Sequence, residues 1–501
     1  MNKKLILSSL SVLGLLFTST CITSCGQNNY TSGLKFALSL EKDTYSVYQY
    51  DGHATEIVIP STYDGKPVTD ISANAFKGNT EIKSVTIPNG ISSIDDYAFS
   101  GCESLESIVL PDSVTSVGSR VFSGCSSLTT AVISKNINNI YDDIFENCNS
   151  LINMTFSMSL VDYLPIEQCK NIVISGGETI GYDEFKDYDN LKTVKISDGI
   201  ETIYSGAFMN CDMLTDVTMA DCVTTICDSA FSDCKALKNV SLPNQLLEID
   251  RNLFINCSSL TSITIPDSVT SIKMESFLNC SSLENINIPS GVTAIGNGAF
   301  SNCGSLKNII LPDDLETIFE RTFENCESLK TVKYPKNLKV IRSFAFFNCK
   351  SLEEVVLPEG IRTISKSAFA NCSSLKSVVI PNTVDAMFTN IFENCIALEN
   401  VVLPNSITEL PEHTFSGCEK LQSITIPSGI QIIATYAFKN CTSLKSIVIP
   451  LSVSRINDSA FYGCDLLEKV YYEGSEEQWS NVYKGTFNES LHLAERIDNY
   501  S

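Results

Sequence analysis

Cysteine is the residue type with the greatest capacity for chemistry in this sequence. The chain contains 20 cysteines, which is compatible with a disulfide framework, a metal site or a set of buried thiols. Sixteen of them occupy one position of a repeated pattern, whereas Cys222 and Cys227 fall outside it. The sixteen are Cys102, Cys125, Cys148, Cys169, Cys211, Cys234, Cys257, Cys280, Cys303, Cys326, Cys349, Cys372, Cys395, Cys418, Cys441 and Cys464.

A residue that returns at the same place in every repeat forms a column once the repeats stack. Free cysteine is a small and usually buried hydrophobe, so the spacing favours an unpaired interior column of thiols. Disulfides between neighbouring repeats are an alternative, since strands about 4.8 Å apart lie within the Cα range that a disulfide permits. Metal binding is disfavoured because no histidine or carboxylate recurs with the column.

Catalysis would require a nucleophile, a base and a charge-stabilising group at one place. The three histidines, His53, His413 and His492, are far apart in the sequence, and none stands at a repeated position. Acidic doublets such as Asp95-Asp96 occur in turns, where a solvated face is a simpler interpretation than a cation site. The sequence contains no zinc-protease, phosphate-loop or serine-hydrolase motif. We therefore predict no enzyme activity, no cofactor and no metal.

The repeat that positions the cysteines is 23 residues long. Residues 421–443 show it as Leu-x-x-Ile-x-Ile-Pro-x-x-Ile-x-x-Ile-x-x-x-Ala-Phe-x-x-Cys-x-x. Its phenylalanine recurs at this interval from Phe185 to Phe461 and, in an earlier run, from Phe76 to Phe145. A period of this length is typical of a solenoid, in which each repeat forms one coil.

The spacings within one repeat predict the path of a coil. Residues 424–426 alternate apolar, polar and apolar, as in a strand with one buried face. Pro427 has no N–H to donate to a ladder, so the strand should end there. Ile430, Ile433 and Phe438 then predict a tight return, with a short 3₁₀ turn. Stacked coils would bury leucine on leucine, isoleucine on isoleucine and phenylalanine on phenylalanine in one continuous core.

This pattern resembles the leucine-rich repeat family, specifically the 23-residue subtype of BspA-like bacterial surface proteins. The resemblance implies a curved, right-handed, parallel-sheet solenoid of the α/β class, mostly β with short 3₁₀ turns, and we expect about 18 coils. Two departures stand out. The family's usual asparagine ladder after the strand is absent, and a proline directly follows the strand. Backbone groups at that turn must therefore find other partners.

The N-terminal residues are typical of an exported protein. Residues 1–24 carry two lysines, a short apolar run and small residues, which predicts a signal peptide. The segment from Ile22 to Cys25 resembles the lipobox of bacterial lipoproteins, which implies a lipidated Cys25 followed by a tether over residues 25–33. An ordinary cleaved signal with an incidental Cys25 is the alternative.

The remaining chain divides by its pattern. Residues 34–56 predict a β cap, 57–470 the solenoid, and 471–490 a C-terminal cap whose short helix begins at the capping box of Ser475 and Gln478. Trp479, the only tryptophan, should cover the last coil. We expect residues 491–501 to be a mobile polar tail.

The period breaks once, in irregular coils predicted over residues 146–185. Phe145 and Phe185 are 40 residues apart, which is six residues short of two repeats. Ile166 and Cys169 stand where phenylalanine and cysteine would be, so we predict two shortened coils, the second compressed into residues 169–185. Repeat decay with a local kink is one interpretation, and an irregular site for a partner is the other.

Stacked strands present rows of outward side chains, which are the candidate ligand-binding residues. One row, two residues before the proline, is rich in β-branched side chains, which favour either a binding surface or simply strand formation. A second row carries lysines and glutamates, with a basic spot at Lys330 and Lys333. The candidate apolar residues are Val356, Val379, Val402 and Val448.

Charge and resemblance together limit the function. The formal net charge of -23 disfavours nucleic acid and anionic membrane as partners. Almost no aromatic residue occupies the strand face before Tyr471, which favours proteins over glycans. The resemblance implies a lipid-anchored protein of the bacterial surface or outer envelope that adheres, through its concave face, to host matrix or cell-surface proteins or other bacteria. The alternative is a scaffold or receptor subunit of a cell-envelope complex.

Overall fold

The computed structural model describes residues 30–500. These residues form a parallel β-solenoid of about 20 coils with little helix, as the repeat predicts, although the number of coils slightly exceeds the expected 18. The predicted signal peptide, Cys25 and the first part of the tether lie outside the described residues. Within residues 30–500, no helix has the length and apolar character needed to cross a bilayer.

The first side of each coil is a short strand, and these strands stack in sequence order as a succession of parallel sheets, which we together call the main sheet. Their bounds are Glu56–Val58, Ser84–Thr86, Ser107–Val109, Thr130–Val132, Asn153–Phe156, Asn171–Ile174, Thr193–Ile196, Asp216–Met219, Asn239–Ser241, Ser262–Thr264, Asn285–Asn287, Asn308–Ile310, Thr331–Lys333, Glu354–Val356, Ser377–Val379, Asn400–Val402, Ser423–Thr425, Ser446–Ile449, Lys469–Tyr472 and Glu495–Ile497.

Register follows the repeat, because Val355 pairs with Val378, which in turn pairs with Val401. The side chains at this position point inward, and Val355 and Val378 are fully buried. Where a proline follows the strand, its carbonyl usually accepts from the N–H three residues later, as Pro427 does from Ile430 at 3.1 Å. The proline carbonyl thus finds a backbone partner within the turn, where the usual asparagine ladder after the strand is absent.

A second ladder of mostly two-residue strands forms another side of the coil. Apart from strands assigned to the caps, its bounds are Ser93–Ile94, Ser116–Val117, Thr179–Ile180, Thr202–Ile203, Thr225–Ile226, Glu248–Ile249, Ser271–Ile272, Ala294–Ile295, Thr317–Ile318, Val340–Ile341, Thr363–Ile364, Ala386–Met387, Glu409–Leu410, Ile432–Ile433 and Arg455–Ile456. The inward residue of each pair is isoleucine except at Val117, Met387 and Leu410. All are buried apart from Met387, which is partly buried, and they complete the second wall of the core.

The third side is the turn that contains phenylalanine and cysteine. Its phenylalanine rings stack between coils, as Phe300 does on Phe277 at 5.3 Å and on Phe323 at 5.6 Å between ring centroids. Backbone N–H groups bridge neighbouring coils here as well, with Phe300 donating to the carbonyl of Thr322 at 2.9 Å. Side-chain stacking and coil-to-coil hydrogen bonds therefore hold this side together without a strand.

The cysteine column is buried and its thiols are free, which confirms the prediction. Except at Cys169, each thiol in the column donates to the carbonyl oxygen of a phenylalanine in the preceding coil, at 3.0 to 3.4 Å. Burial raises the pKa of Cys102 and Cys372 to about 12, so these thiols stay protonated. Cysteine suits this place because it is small, apolar and a weak donor.

The structure contains an asparagine ladder, although not at the position after the strand where the family usually has one. It lies on the turn, one residue before the cysteine, where Asn279 donates to Asn256 and Asn302 donates to Asn279, both at 2.7 Å. The chain of amides begins at the Asp233 carboxylate and runs to Asn348. These asparagines have φ near +60°, a left-handed conformation that asparagine tolerates better than most residues.

The N-terminal cap is formed by Leu34–Leu38 and Tyr45–Tyr50, which pair antiparallel. Tyr45–Tyr50 also pairs in parallel with Lys66–Ile71, and the extra residues of the first coil form a hairpin with Thr62–Tyr63. Residues 30–33 are docked rather than free, because Thr31 donates its N–H to the carbonyl of Val58 at 3.1 Å. The tether expected over residues 25–33 is therefore wrong at its C-terminal end.

The C-terminal cap extends to the end of the described chain. Its helix Glu476–Ser480 begins at the predicted capping box, and Trp479 is buried. Tyr483–Lys484 then extends the second ladder. The expected mobile tail is wrong, because the helix Glu489–Leu493 buries Leu491 and Glu495–Ile497 adds a last parallel strand to the main sheet.

The irregular coils differ from the prediction in which coil is shorter. Asn153 and Asn171 are adjacent in the sheet although only 18 residues apart, whereas Asn171 and Thr193 are 22 apart. The first coil is therefore the compressed one. Two 3₁₀ helices, Met158–Tyr163 and Ile166–Gln168, take the place of its second ladder and turn.

Candidate protein-binding surface

The outward row of the main sheet contains the candidate valines. Val356, Val379 and Val402 are register neighbours in adjacent strands, and their exposed fractions are 55%, 43% and 54%. Ile310, in the same row, is 62% exposed. Covering exposed apolar side chains of this size with a partner lowers the free energy, so this row can act as the centre of an interface.

A mixed-charge row runs beside the valines. Lys330 forms an ion pair with Glu353 of the next coil, with 3.1 Å between its Nζ and the carboxylate. Lys307 pairs in the same way with Glu284 at 2.7 Å. The basic spot expected at Lys330 and Lys333 is thus half neutralised, because register brings a glutamate beside Lys330. Among residues 30–500, Lys333 has no acidic partner within salt-bridge distance.

Val448 does not share the exposure of the other candidate valines. It is half-buried, and its register neighbour in the next strand is Tyr471. Tyr471 in turn packs against Tyr500, with 4.6 Å between ring centroids. The folded C-terminal segment therefore lies near this end of the row, and the accessible part is centred on Val356, Val379 and Val402.

The shortened coil forms a second candidate site. The break in the period indicated its location but not its structure. A cavity of about 450 Å³ opens beside the two 3₁₀ helices. Leu164 and Ile166 contribute apolar walls, and Tyr188 lies at its edge. Sequence reasoning missed the cavity because its position depends on which of the two coils loses residues.

Aromatic and cationic side chains also meet on the turn side, near the left-handed position two residues before the phenylalanine, which Arg321, Phe344 and Tyr97 occupy. The guanidinium of Arg321 lies 5.1 Å from the ring centroid of Phe344 in the next coil, and Lys77 lies 4.6 Å from Tyr97. His413 is partly buried, and its ring centroid lies 4.9 Å from that of Tyr436. These stacks connect neighbouring coils.

The three histidines, His53, His413 and His492, lie at separate places in the fold. No group of three or more histidine, cysteine, aspartate or glutamate side chains there is arranged to hold a metal ion. His53 lies near Glu81 at the N-terminal cap, at 3.2 Å, and His492 lies in the C-terminal cap.

Stacked parallel coils that begin with a leucine-led strand and close with a Phe-x-x-Cys turn define a leucine-rich repeat protein. More narrowly, the family model described as BspA type leucine rich repeat region (6 copies) matches residues 45–173, 163–284, 247–376 and 362–494. The chain belongs to this family. Repeat scaffolds of this kind are typically non-enzymatic and are associated with protein binding.

Solved structures of bacterial repeat proteins are similar to this chain. A leucine-rich repeat protein from Bacteroides ovatus is 24% identical over 93% of this chain and 98% of its own, with a TM-score of 0.40. A leucine rich cell surface protein from Faecalibacterium prausnitzii is 27% identical over 92% and 99%, with a TM-score of 0.35. The pneumococcal vaccine antigen PcpA is 16% identical over 93% and 97%, with a TM-score of 0.24. No curated protein matches the chain.

Proposed function

We propose that this protein is a non-enzymatic adhesin of the bacterial cell surface that binds host or bacterial proteins through the outward row of its main sheet. The observation that supports this proposal best is the exposed, in-register run of Val356, Val379 and Val402. Exposed apolar side chains in line are a common feature of interaction sites, and a mixed-charge row beside them provides a polar rim. Family membership supports protein as the partner class.

Charge favours a protein partner with complementary basic groups. The formal net charge of -23 speaks against nucleic acid and anionic lipid surfaces. Lys330 is already paired with Glu353, so it contributes an oriented ion pair to the rim rather than a free positive charge. Binding should therefore weaken only moderately with salt, because its centre is apolar and its rim is nearly balanced.

The test is a binding screen of the purified full chain against matrix proteins, host cells, other bacteria and a glycan array. Any protein hit is then measured with the triple variant V356T/V379T/V402T. Threonine keeps the β-branched shape and the strand preference but replaces exposed apolar surface with a hydroxyl. We expect the affinity to fall by about tenfold or more, as is typical when interface anchors are lost.

A matched control lies in the same row near the other end of the solenoid. Val58 and Val109 are 40% and 46% exposed, and V58T/V109T should leave binding unchanged. Unaltered binding by the triple variant, with its melting temperature preserved, would exclude the row as the site. An absence of binding in every part of the screen, together with a stable set of co-purifying envelope proteins, would favour the scaffold alternative instead.

Surface attachment through Cys25 belongs to the same proposal and lies outside the described residues. A lipidated Cys25 would hold the solenoid at the membrane by its N-terminal cap, since the chain enters the fold near residue 30. The variant C25S, compared with the wild type by membrane fractionation and mass spectrometry of the mature N-terminus, should release the protein. Retention of C25S in the membrane fraction would contradict lipid anchoring.

A further inference from the structure

The cavity beside the shortened coil arises where one residue of the cysteine column is replaced. Tyr188 occupies the position between Cys169 and Cys211 in that column. Its ring meets the ring of Phe185 edge to face, with 5.6 Å between centroids, and its side chain is only partly buried. A residue that would be an enclosed thiol in a regular coil therefore becomes an aromatic wall of an open cavity.

The walls of this cavity combine apolar and acidic groups. Leu164 and Ile166, which are buried, contribute the apolar part. Asp162, Glu167 and Glu184 bring three carboxyl groups to the same lining. No lysine, arginine or histidine lines the cavity, and no ion pair within residues 30–500 involves any of these three carboxylates. The charge of the site is therefore negative and uncompensated by the protein itself.

The Glu184 carboxyl lies close to the backbone of Gly181, since a Cβ atom at residue 181 would be 2.5 Å from the Glu184 Oε2 atom. Burial and the neighbouring charge of Asp162 raise the pKa of the Glu184 carboxyl. An opposite charge placed in the cavity would relieve this cost.

We propose that this cavity binds a lysine or arginine side chain of a protein partner. Its volume of about 450 Å³ accommodates one long side chain. The carboxylates would pair with the cationic head, the apolar walls would cover the aliphatic stem, and the Tyr188 ring would offer a cation–π contact. The inference rests on the proposed function because it assigns a specific contact to the same class of partner, on a different part of the coil.

The test uses the purified full chain and three probes, measured by ligand-observed NMR titration. The probes are acetyl-Ala-Lys-Ala-amide, its norleucine analogue, which has the same stem without the charge, and 1,5-diaminopentane. We expect the lysine peptide to bind saturably and the norleucine peptide to bind at least about tenfold more weakly, because a charge-assisted contact is lost. Equal binding of the two peptides would overturn the proposal.

Isosteric variants locate the site. E167Q/E184Q removes two negative charges from the cavity and should weaken binding of the lysine peptide at least about tenfold. The matched control E178Q/E201Q removes two exposed carboxylates from the neighbouring coils and should leave the affinity within about twofold. Unchanged affinity in E167Q/E184Q, with an unchanged melting temperature, would overturn the assignment. A diaminopentane that binds where the lysine peptide does not would also overturn it, in favour of a free amine.

The valine-row variant separates this proposal from the proposed function. V356T/V379T/V402T should bind the lysine peptide as the wild type does, because the row and the cavity lie on coils far apart in the stack. Loss of protein binding with intact peptide binding would support both assignments. Peptide binding that persists when the screen finds no protein partner at all would support the cavity and reject the adhesin.

Discussion

The regular coils from Phe208 to Phe461 and the shortened coil from Asn153 to Lys170 keep the same strand but differ in the turn. In the regular coils the phenylalanine rings stack nearly parallel, with centroids 5.2 to 5.9 Å apart. In the shortened coil Ile166 replaces the ring, and Phe156 instead meets Phe185 edge to face at 6.5 Å.

This difference shows which side of the coil specifies the fold and which can change. The sheet continues in parallel register through both short coils, so the strands tolerate the loss of residues elsewhere. The turn side, by contrast, loses its ring and gains two 3₁₀ helices and a cavity. The strands thus preserve the stack, while the turn is where a solenoid of this kind can acquire a recessed site.

The largest expected effect comes from removing a ring within the regular column. F300A deletes a fully buried side chain that is stacked on both sides, and we expect it to lower the free energy of unfolding by about 4 kcal/mol. I166A, at the corresponding place in the shortened coil, should cost about 2 kcal/mol, because a smaller side chain is lost beside an open cavity. Urea unfolding followed by circular dichroism measures both.

Because repeat proteins can unfold in parts, the difference in unfolding free energy between the two variants is more informative than either value alone. Hydrogen exchange on F300A should show that the loss of amide protection is concentrated in the coils of Phe277, Phe300 and Phe323. Equal costs for F300A and I166A would mean that ring stacking adds nothing beyond the burial of apolar area.

The asparagine ladder gives the next largest contrast. N302A removes the donor to Asn279 and the acceptor for Asn325, and it places a Cβ-bearing residue without a stabilising amide at φ +60°. We expect a cost of about 2 kcal/mol in the free energy of unfolding, whereas N302G should cost about 1 kcal/mol because glycine adopts this conformation freely.

The shortened coil provides the control for the ladder. Gln168 stands at the equivalent place there and donates only to the carbonyl of Cys148, at 3.2 Å. Q168A should therefore cost no more than about 0.5 to 1 kcal/mol. Thermal unfolding of the three variants ranks their stabilities directly. If Q168A destabilises the protein as much as N302A does, the ladder contributes no more to stability than an isolated hydrogen bond.

The cysteine column predicts a smaller effect. C280A removes a buried thiol that donates to the carbonyl of Phe254 at 3.1 Å, and we expect a cost of about 1.5 kcal/mol. Cys169 in the shortened coil makes only a long contact with the carbonyl of Pro165, at 3.7 Å, so C169A should cost about 1 kcal/mol or less. Both values come from urea unfolding under reducing conditions, and the opposite order would contradict a role for the thiol hydrogen bond.

The repeat made the strands, the proline stop, the phenylalanine column and the cysteine column predictable, because each depends only on a residue type and its interval. The pairing of Lys330 with Glu353 follows the 23-residue interval, whereas the position of the cavity depends on which coil loses residues where the period breaks. The asparagine ladder escaped notice because Asp233 and several glycines share its position, and only the left-handed backbone reveals what they have in common.

The smallest expected effect concerns two tyrosines that differ in access to water. The Tyr334 hydroxyl is buried without a hydrogen-bond partner, although its ring packs edge to face on Phe346 at 5.8 Å. Burial raises the pKa of this phenol well above its usual value. A buried, unpaired hydroxyl is destabilising, so Y334F should raise the free energy of unfolding by about 1 kcal/mol.

Tyr188 at the cavity of the shortened coil is the matched case. Its side chain is only partly buried, and water can satisfy its hydroxyl, so Y188F should change the free energy of unfolding by less than about 0.5 kcal/mol. Thermal unfolding of Y334F and Y188F side by side provides the comparison. A stabilised Y188F would mean that the cavity is closed to solvent, whereas a stabilised Y334F alone would show that regular coils exclude water and the shortened coil admits it.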